Sequence, residues 1–364
     1  MVLLNQQNFA DAKYIIRSEI MNTIMRPVAR DNFWDNLKGF LILSVVVGHL
    51  LGRFILSSEK VMALYDFINC YHIPMFVFIS GIFARKARSA PEKRASKMIL
   101  YYVIVQIINW AILHIFDCPT ATKLTFVIPG YTFWYLVFMA VCIMLTYFMK
   151  NANPKIWIAV TCALSLASGF EQLGSEFSAA RIVTFLPLFS AGYFLGTDTD
   201  KLMQTLRTTK VRIVSGILTA AIFVITFLKA ADFPHAVYFG LDSYDVLYPE
   251  NPFYGLIARA AFLISAAVIS VFFISVFPKK KTIFSFIGEN SLQIFLVHGM
   301  VLEVCWNFFN KIPFFNVSEG AGMMGQLIVV AKRYVVVGVA IILCCGIVIA
   351  IRYALRNRKT KKVN

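Results

Sequence analysis

Three histidines, one lysine and a few carboxylates are the side chains that could do chemistry in this sequence. His49 closes the run Asp35-Asn36-Leu37-Lys38-Gly39-Phe40-Leu41-Ile42-Leu43-Ser44-Val45-Val46-Val47-Gly48-His49. Lys38 stands at the mouth of the apolar part, and His49 follows eleven residues later, about 16 Å along a helix rising ~1.5 Å per residue. In a bilayer core about 30 Å thick, a spanning helix would carry His49 near the midplane. An ionisable group at that depth is expensive to keep and reads as functional by default. The competing reading is a structural histidine bonded to a neighbouring helix. His72 lies in Tyr71-His72-Ile73-Pro74-Met75-Phe76, and His298 closes Ser291-Leu292-Gln293-Ile294-Phe295-Leu296-Val297-His298. Imidazole is well suited to exchange a proton near neutral pH. Beside a wet cavity it can activate a sugar hydroxyl towards a thioester, with Asp66, Glu303 or Arg181 orienting it or carrying transition-state charge. For His72 a structural role competes, as a partner for backbone that Pro74 frees. His114 has no supporting motif and reads as structural, and His235 as a loop residue.

The elements that position these residues follow from hydropathy. The chain has 364 residues, 59% of them apolar and only 15% charged, with a mean hydropathy of +0.71. Soluble domains average about 25% charged residues. Apolar runs of about twenty residues recur along the whole length, which predicts an all-α polytopic membrane protein. The runs are continuous rather than alternating, which excludes a β-barrel. The expected spans are about 38–56, 66–84, 98–117, 131–149, 156–170, 181–196, 213–230, 253–277, 283–304 and 327–351, ten in all, without an internal repeat. Asp35 is placed as the cap of the first. Residues 8–25 suit an amphipathic helix on the membrane surface or a plain cytosolic extension. No cleavable signal peptide is visible in residues 1–33. The expected organisation is an N-terminal segment 1–33, a membrane domain 34–352 and a basic tail 353–364.

A net charge of +16 invites a nucleic-acid reading, but the positions exclude it. Lys and Arg cluster between apolar runs as the positive-inside rule expects. With the N-terminus inside, the inner segments hold 25 Lys plus Arg and the outer loops only Lys60, Lys123 and Lys311. Both termini are therefore expected in the cytoplasm, with the protein multi-pass in the cell membrane. On this topology His49, His72 and His298 all lie between the midplane and the outer leaflet. The long outer loop 231–252 is acidic and aromatic, as sugar-binding surfaces and interfacial belts both are. The inner loop 85–97, with Arg85, Lys86 and Arg94, suits topology and anionic lipid, or a cradle for phosphates. Seven cysteines show neither CxxC nor metal spacing, so no metal is expected. Cys118 and Cys305 fall near outer loops, and the sequence leaves open whether they are bridged.

These residues resemble the acyltransferase 3 family of integral membrane O-acyltransferases, most closely its fucose 4-O-acetylase-like branch. The basic residue, ten intervening residues and histidine of the family's first span match Lys38 and His49. Many members have arginine at the first place; lysine is typical of that branch and removes a bidentate fork. His72-Ile73-Pro74-Met75-Phe76 with Phe78-Ile79-Ser80-Gly81 is similar to the aromatic-rich segment ending in Ser-Gly. Phe133-Trp134-Tyr135-Leu136 looks like the tryptophan-led fourth span. Arg181 with Phe185-Leu186-Pro187-Leu188-Phe189 resembles the sixth, and Gly288-Glu289-Asn290-Ser291-Leu292 with His298 a late element. The motifs cover about residues 31–305 in order. The resemblance implies a cytoplasmic acyl-CoA donor, usually acetyl-CoA, and a hydroxyl acceptor on a cell-envelope glycan or its lipid-linked precursor. It implies His49 as general base, with Lys38 near the donor, and Arg85, Lys86 and Arg94 as contacts to CoA phosphates. His72 and Asp66 complete the expected catalytic set, and Trp134, Arg181, Ser291, His298 and Glu303 are expected as substrate or supporting residues. A transporter or flippase for a glycan precursor, with a histidine proton relay, is the alternative. A sensor without turnover is the third reading.

Overall fold

The computed structural model describes residues 31–53, 59–230, 232–316 and 323–361. The amphipathic segment expected at 8–25 lies outside them. The long helices are α1 (Asn32–Leu51), α2 (Glu59–Lys86), α3 (Pro91–Ile115), α4 (Trp134–Met149), α5 (Pro154–Ala167), α6 (Ala179–Leu195), α7 (Thr199–Leu206), α8 (Thr209–Lys229), α9 (Pro252–Val276), α10 (Ile283–Glu289), α11 (Ser291–Lys311) and α12 (Met323–Lys361). No strand occurs among the described residues. Among the described residues eight helices are long and apolar enough to cross a membrane, with α6 counted from Glu176. The fourth and fifth expected spans are helices too, but with 16 and 14 residues they reach only about 24 and 21 Å. The protein is an all-α polytopic membrane protein.

Several expected boundaries move. The cap of α1 is Asp31, whose carboxylate accepts from Phe33 N at 2.9 Å. Asp35 instead lies inside the first turn and pairs with Lys38 at 2.7 Å. The helix therefore starts earlier than expected and ends at Leu51, which puts His49 in its last turn rather than mid-span. Helix α2 starts at Glu59, so His72 lies thirteen residues from that end instead of about six. It also runs unbroken through Pro74. The carbonyl that a proline leaves free is four residues back, that of Cys70, whereas His72 Nδ1 bonds Ile68 O at 2.7 Å. His72 does not satisfy the proline's orphan. The expected ninth span is two helices, because Asn290 (φ −111, ψ 14) leaves the helical region between α10 and α11. Cys118 and Cys305 are both free thiols.

The centre is α1 and α2, each with 61% of its apolar window buried, against 11% for α8 and 17% for α12, which leave their apolar surface for lipid. Membrane helices gain little from apolar contact alone, so close approach through small residues holds them together. Two such contacts organise this bundle. A Cβ at Gly39 would collide with the carbonyl of Phe284, and one at Gly288 with that of Asp35, so α1 and α10 touch backbone to backbone. Gly81 and Gly192 do the same for α2 and α6, against the carbonyls of Phe189 and Phe78. Asn36, fully buried, locks the first contact. Its amide donates to Pro278 O at 2.9 Å and Lys280 O at 2.8 Å. Its oxygen accepts from Thr282 Oγ1 at 2.5 Å and Ser285 Oγ at 2.6 Å.

The aromatic loop, described from residue 232, is partly folded inward. Tyr244 is fully buried, donates to Leu166 O at 2.8 Å and lies under the Arg259 guanidinium at 4.9 Å. Burial also pushes the Tyr238 phenol up, with Cys70 and Asp66 nearby adding to it. Two of the loop's five aromatic side chains are thus core rather than belt or sugar surface.

A side chain at Gly288 must displace helix backbone, and overpacking of this kind costs about 1–3 kcal/mol or more. Gly288→Val should lower the thermal midpoint of the detergent-solubilised protein by several degrees or abolish its accumulation. Gly338, with nothing within 4 Å of an added Cβ, is the control. Gly338→Ala should be neutral or slightly stabilising, by up to ~1 kcal/mol from helix propensity. Fluorescence-detected size-exclusion after a heating series reads both.

Candidate active site

Helical spacing sets one face of α1. Lys38, Ile42, Val45 and His49 stand at i, i+4, i+7 and i+11 and form a single stripe. On α11 the matching stripe is Ser291, Phe295 and His298. Lys38, Ile42, Val45, Ser291, Leu292 and Phe295 line one cavity of about 210 Å³, closed by residues of α2, α3 and α4. The lining stops one turn short of His49 and one turn short of His298. The Lys38 ammonium sits at the cavity, 2.7 Å from Asp35 Oδ1 and 5.0 Å above the Phe83 ring. Ser80 Oγ and Tyr135 OH, 2.8 Å apart, are a hydroxyl pair in an otherwise apolar wall.

A second cavity, of about 580 Å³, begins past the histidines. Its walls include Gln106, Asn109 and Trp110 of α3, the loop residues Thr120 to Thr132, and Gly299 and Glu303 of α11. It is the more polar of the two. Glu303 is held by Arg53 and accepts from Thr120 Oγ1 at 3.0 Å. Gln106 fastens the loop by donating to Thr125 O at 2.8 Å and accepting from Gly130 N at 2.9 Å.

The two cavities share no lining residue. The level that divides them recurs on three elements. On α11 it falls between Phe295 and Gly299, on α3 between Met98 and Gln106, and at the start of α4 between Phe133 and Tyr135. At that level stand His49, His298 and Tyr131. The His49 and His298 rings lie 5.4 Å apart. Tyr131 OH is 2.9 Å from His49 Nδ1, with the rings 4.8 Å apart. Tyr131 adopts φ +23, a backbone conformation that L side chains rarely take and that surrounding structure must hold. His298 is 1% exposed. Its Nδ1 faces the carbonyls of Ile294 at 3.0 Å and Phe295 at 2.9 Å. A carbonyl only accepts, so Nδ1 carries the hydrogen and Nε2 is bare. That Nε2 is buried and has no hydrogen-bond partner among the described residues. His72, also buried, has the same tautomer through Ile68 O and lies within electrostatic range of both.

The other candidates lie around this level or away from it. No carboxylate orients a histidine among the described residues: a phenol and three backbone carbonyls do so instead. Asp66 is fully buried, beside Cys70 and Tyr238, and neither of its oxygens has a hydrogen-bond partner among the described residues. Arg181 donates to Phe239 O at 3.2 Å and lies 4.6 Å over the Trp134 ring; this pair lines neither cavity. Arg94 is one turn before Met98 of the smaller cavity and donates to Ala84 O at 3.3 Å. Arg85 and Lys86 point elsewhere, to Tyr193 OH at 3.1 Å and Thr199 Oγ1 at 2.7 Å. The described residues contain no cluster of metal-ligating side chains.

Sequence reasoning missed Tyr131, and it gave no role to Asn36, Ser80 or Tyr135. Those three did carry a signal, since each stands inside a quoted motif. Tyr131 is 82 residues from His49 and reads as one more interfacial aromatic.

No curated protein and no solved structure matches the chain. The family model described as an acyltransferase domain matches residues 31–352, the whole of the bundle just described. The chain therefore belongs to the acyltransferase 3 family and is a membrane acyltransferase.

Proposed function

We propose that this protein is an O-acetyltransferase of the cell membrane, with both termini in the cytoplasm. It moves an acetyl group from cytoplasmic acetyl-CoA to a hydroxyl of a cell-envelope glycan or its lipid-linked precursor. The observation that carries this reading is the histidine level between two unlike cavities. The smaller lies below the ~300–1,000 Å³ of ordinary ligand pockets, a slot for a linear chain rather than for a ring. It has Lys38 at one end, and the lysine-rich loop 278–281 is fastened beside it by Asn36. An acyl-CoA arm has that shape, with anionic phosphates at its far end for Lys38 and, one turn outside the cavity, Arg94. Lys38 to His49 spans about 16 Å along the helix, so a chain held at the lysine delivers its thioester to the imidazole. The larger cavity, with its amides, hydroxyls and an indole, suits a sugar. In the simplest transfer His49 takes the proton of the acceptor hydroxyl. Lysine in place of arginine at position 38 supports the fucose 4-O-acetylase-like branch. A divided pair of cavities also suits an alternating-access carrier for a glycan precursor, the second reading, which requires no thiol release.

Ester-linked acetate on envelope glycans, measured by mass spectrometry before and after mild base, tests the reading. Cells carrying the wild type should show it. Cells with His49→Ala, at equal membrane abundance, should lose it by at least ~100-fold, the scale of a lost acid–base group. Full acetylation in the variant would remove His49 from the chemistry. No acetate in any strain, with the glycan itself changed in amount or location, would favour the carrier.

Lys38 tests the donor site separately. Lys38→Ala should raise the KM for acetyl-CoA about ten-fold with kcat little changed, the signature of lost ground-state binding, and Lys38→Arg should restore most of it. Release of free CoA thiol by purified protein in nanodiscs is the readout. A fall in kcat at unchanged KM would place Lys38 in the chemical step instead.

A further inference from the structure

The simplest transfer requires the thioester and the hydroxyl to meet in one space. The structure has two spaces, without a shared lining residue, and the same level separates them on α3, α4 and α11. One reactive side chain at that level has an amphoteric partner, and a bare base stands beside it. Resting on the acetyltransferase reading above, we propose that His49 carries the acetyl group covalently between the two cavities, with Tyr131 and His298 each serving one half of the reaction.

In the first half His49 holds its hydrogen on Nδ1, donated to the Tyr131 oxygen across the 2.9 Å contact. Nε2 then has a free lone pair. It attacks the thioester carbon from the Lys38 cavity. The N–C bond forms, the C–S bond breaks, and sulfur leaves with the electron pair. The acetyl-imidazolium so formed passes its Nδ1 proton to the Tyr131 oxygen, which hands its own proton on through water to the thiolate, so the products are a free thiol and a neutral acetyl-imidazole. Tyr131 now reverses its role and donates its O–H to the bare Nδ1. A hydroxyl can accept before and donate after; a carboxylate, acceptor-only when ionised, cannot. The donated hydrogen bond also withdraws electrons from the ring and keeps the acetyl group reactive.

In the second half the acceptor hydroxyl approaches from the cavity lined by Tyr131 and Gly299. Its oxygen attacks the acetyl carbon, the C–O bond forms and the C–N bond breaks. The hydroxyl proton goes to His298 Nε2, whose tautomer the carbonyls of Ile294 and Phe295 fix, and from there to the departing His49 ring. The cycle returns a neutral imidazole with its hydrogen on Nε2, which exchange through water moves back to Nδ1 before the next turnover, and it converts one thioester and one hydroxyl into one thiol and one ester.

Isotope exchange tests this. Protein in nanodiscs is given acetyl-CoA and labelled free CoA, with no acceptor. A covalent carrier moves label into acetyl-CoA, and acid-quenched protein gains one acetyl group that mild base removes. Wild type should do both, and His49→Gln neither. Tyr131→Phe should slow exchange at least ten-fold. His298→Gln should keep exchange within a few-fold of wild type while losing glycan acetylation in cells, and retained exchange also shows that this variant is folded. Glycan acetylation without exchange or acetyl-protein, in a preparation that still releases thiol when acceptor is added, would overturn the covalent step and leave the acetyltransferase reading standing. Loss of exchange in His298→Gln, with the variant at wild-type abundance and thermal midpoint, would overturn the role given to His298. Absence of glycan acetate in every strain is the separate failure of the reading beneath it.

Discussion

The buried amide of Asn36 holds together the two parts of the chain that build the site. It uses all four of its hydrogen-bonding positions, two hydrogens on the carbonyls of Pro278 and Lys280 and one oxygen on the hydroxyls of Thr282 and Ser285. No other side chain of that size offers two donors and two acceptors at once. A substitution would leave several polar groups unpaired, at about 1–3 kcal/mol each. These bonds fix where the chain turns into α10, and the Gly39–Gly288 contact then fixes how close α10 lies to α1. Since α11 follows after the break at Asn290, its height against α1 is set by the same docking. Ser291 therefore shares a cavity with Lys38, and His298 meets His49. The short motif around Lys38 is thus an anchor as much as a piece of chemistry. Asn36 and Gly39 position, while Lys38 faces the cavity.

Much of this fold was legible because the bilayer imposes a simple rule: backbone must be satisfied within each segment. The ten apolar runs became helices in the expected order, the ninth as two. The boundaries were less legible. At the start of α1 the polar residues Asp35 and Asn36 are buried against other helices instead of facing water, so the drop in hydropathy there did not mark a helix end. The break at Asn290 was hidden for the converse reason, because apolar residues continue on both sides of it. Eight of the ten helices reach spanning length; the short α4 begins only after the strained turn at Tyr131, which spends the residues a longer helix would have used.

The site divides the same way. Spacing along one helix exposed Lys38 and His49, and the stripe between them is now a cavity wall. His298 was recognised by its place in a late motif. What spacing cannot expose is a partner from another element, and Tyr131 is that partner. Asp66 and Glu303 were the carboxylates expected to orient a histidine or carry transition-state charge. Here Glu303 is tied to Arg53, and Asp66 stands apart beside Tyr238. Neither reaches a histidine nitrogen.

That absence has a physical logic. A carboxylate facing an imidazolium is a pair of charges, and in a medium of low dielectric their desolvation opposes much of what their attraction returns. A phenol, with an ordinary pKa near 10, remains uncharged at neutral pH and accepts or donates at the same position. A site made of imidazole, phenol and backbone carbonyls rests neutral both before and after the acetyl group is loaded, and a ring is charged only while a proton is in transit. The charged groups stand outside that level, with Lys38 at one end where anionic phosphates belong and Arg53 with Glu303 at the wall of the other cavity. An acyl-imidazole, the state that separates the two halves of the reaction, is likewise neutral. The division into two cavities favours this route, in which the acetyl group crosses the middle of the bundle between neutral resting states.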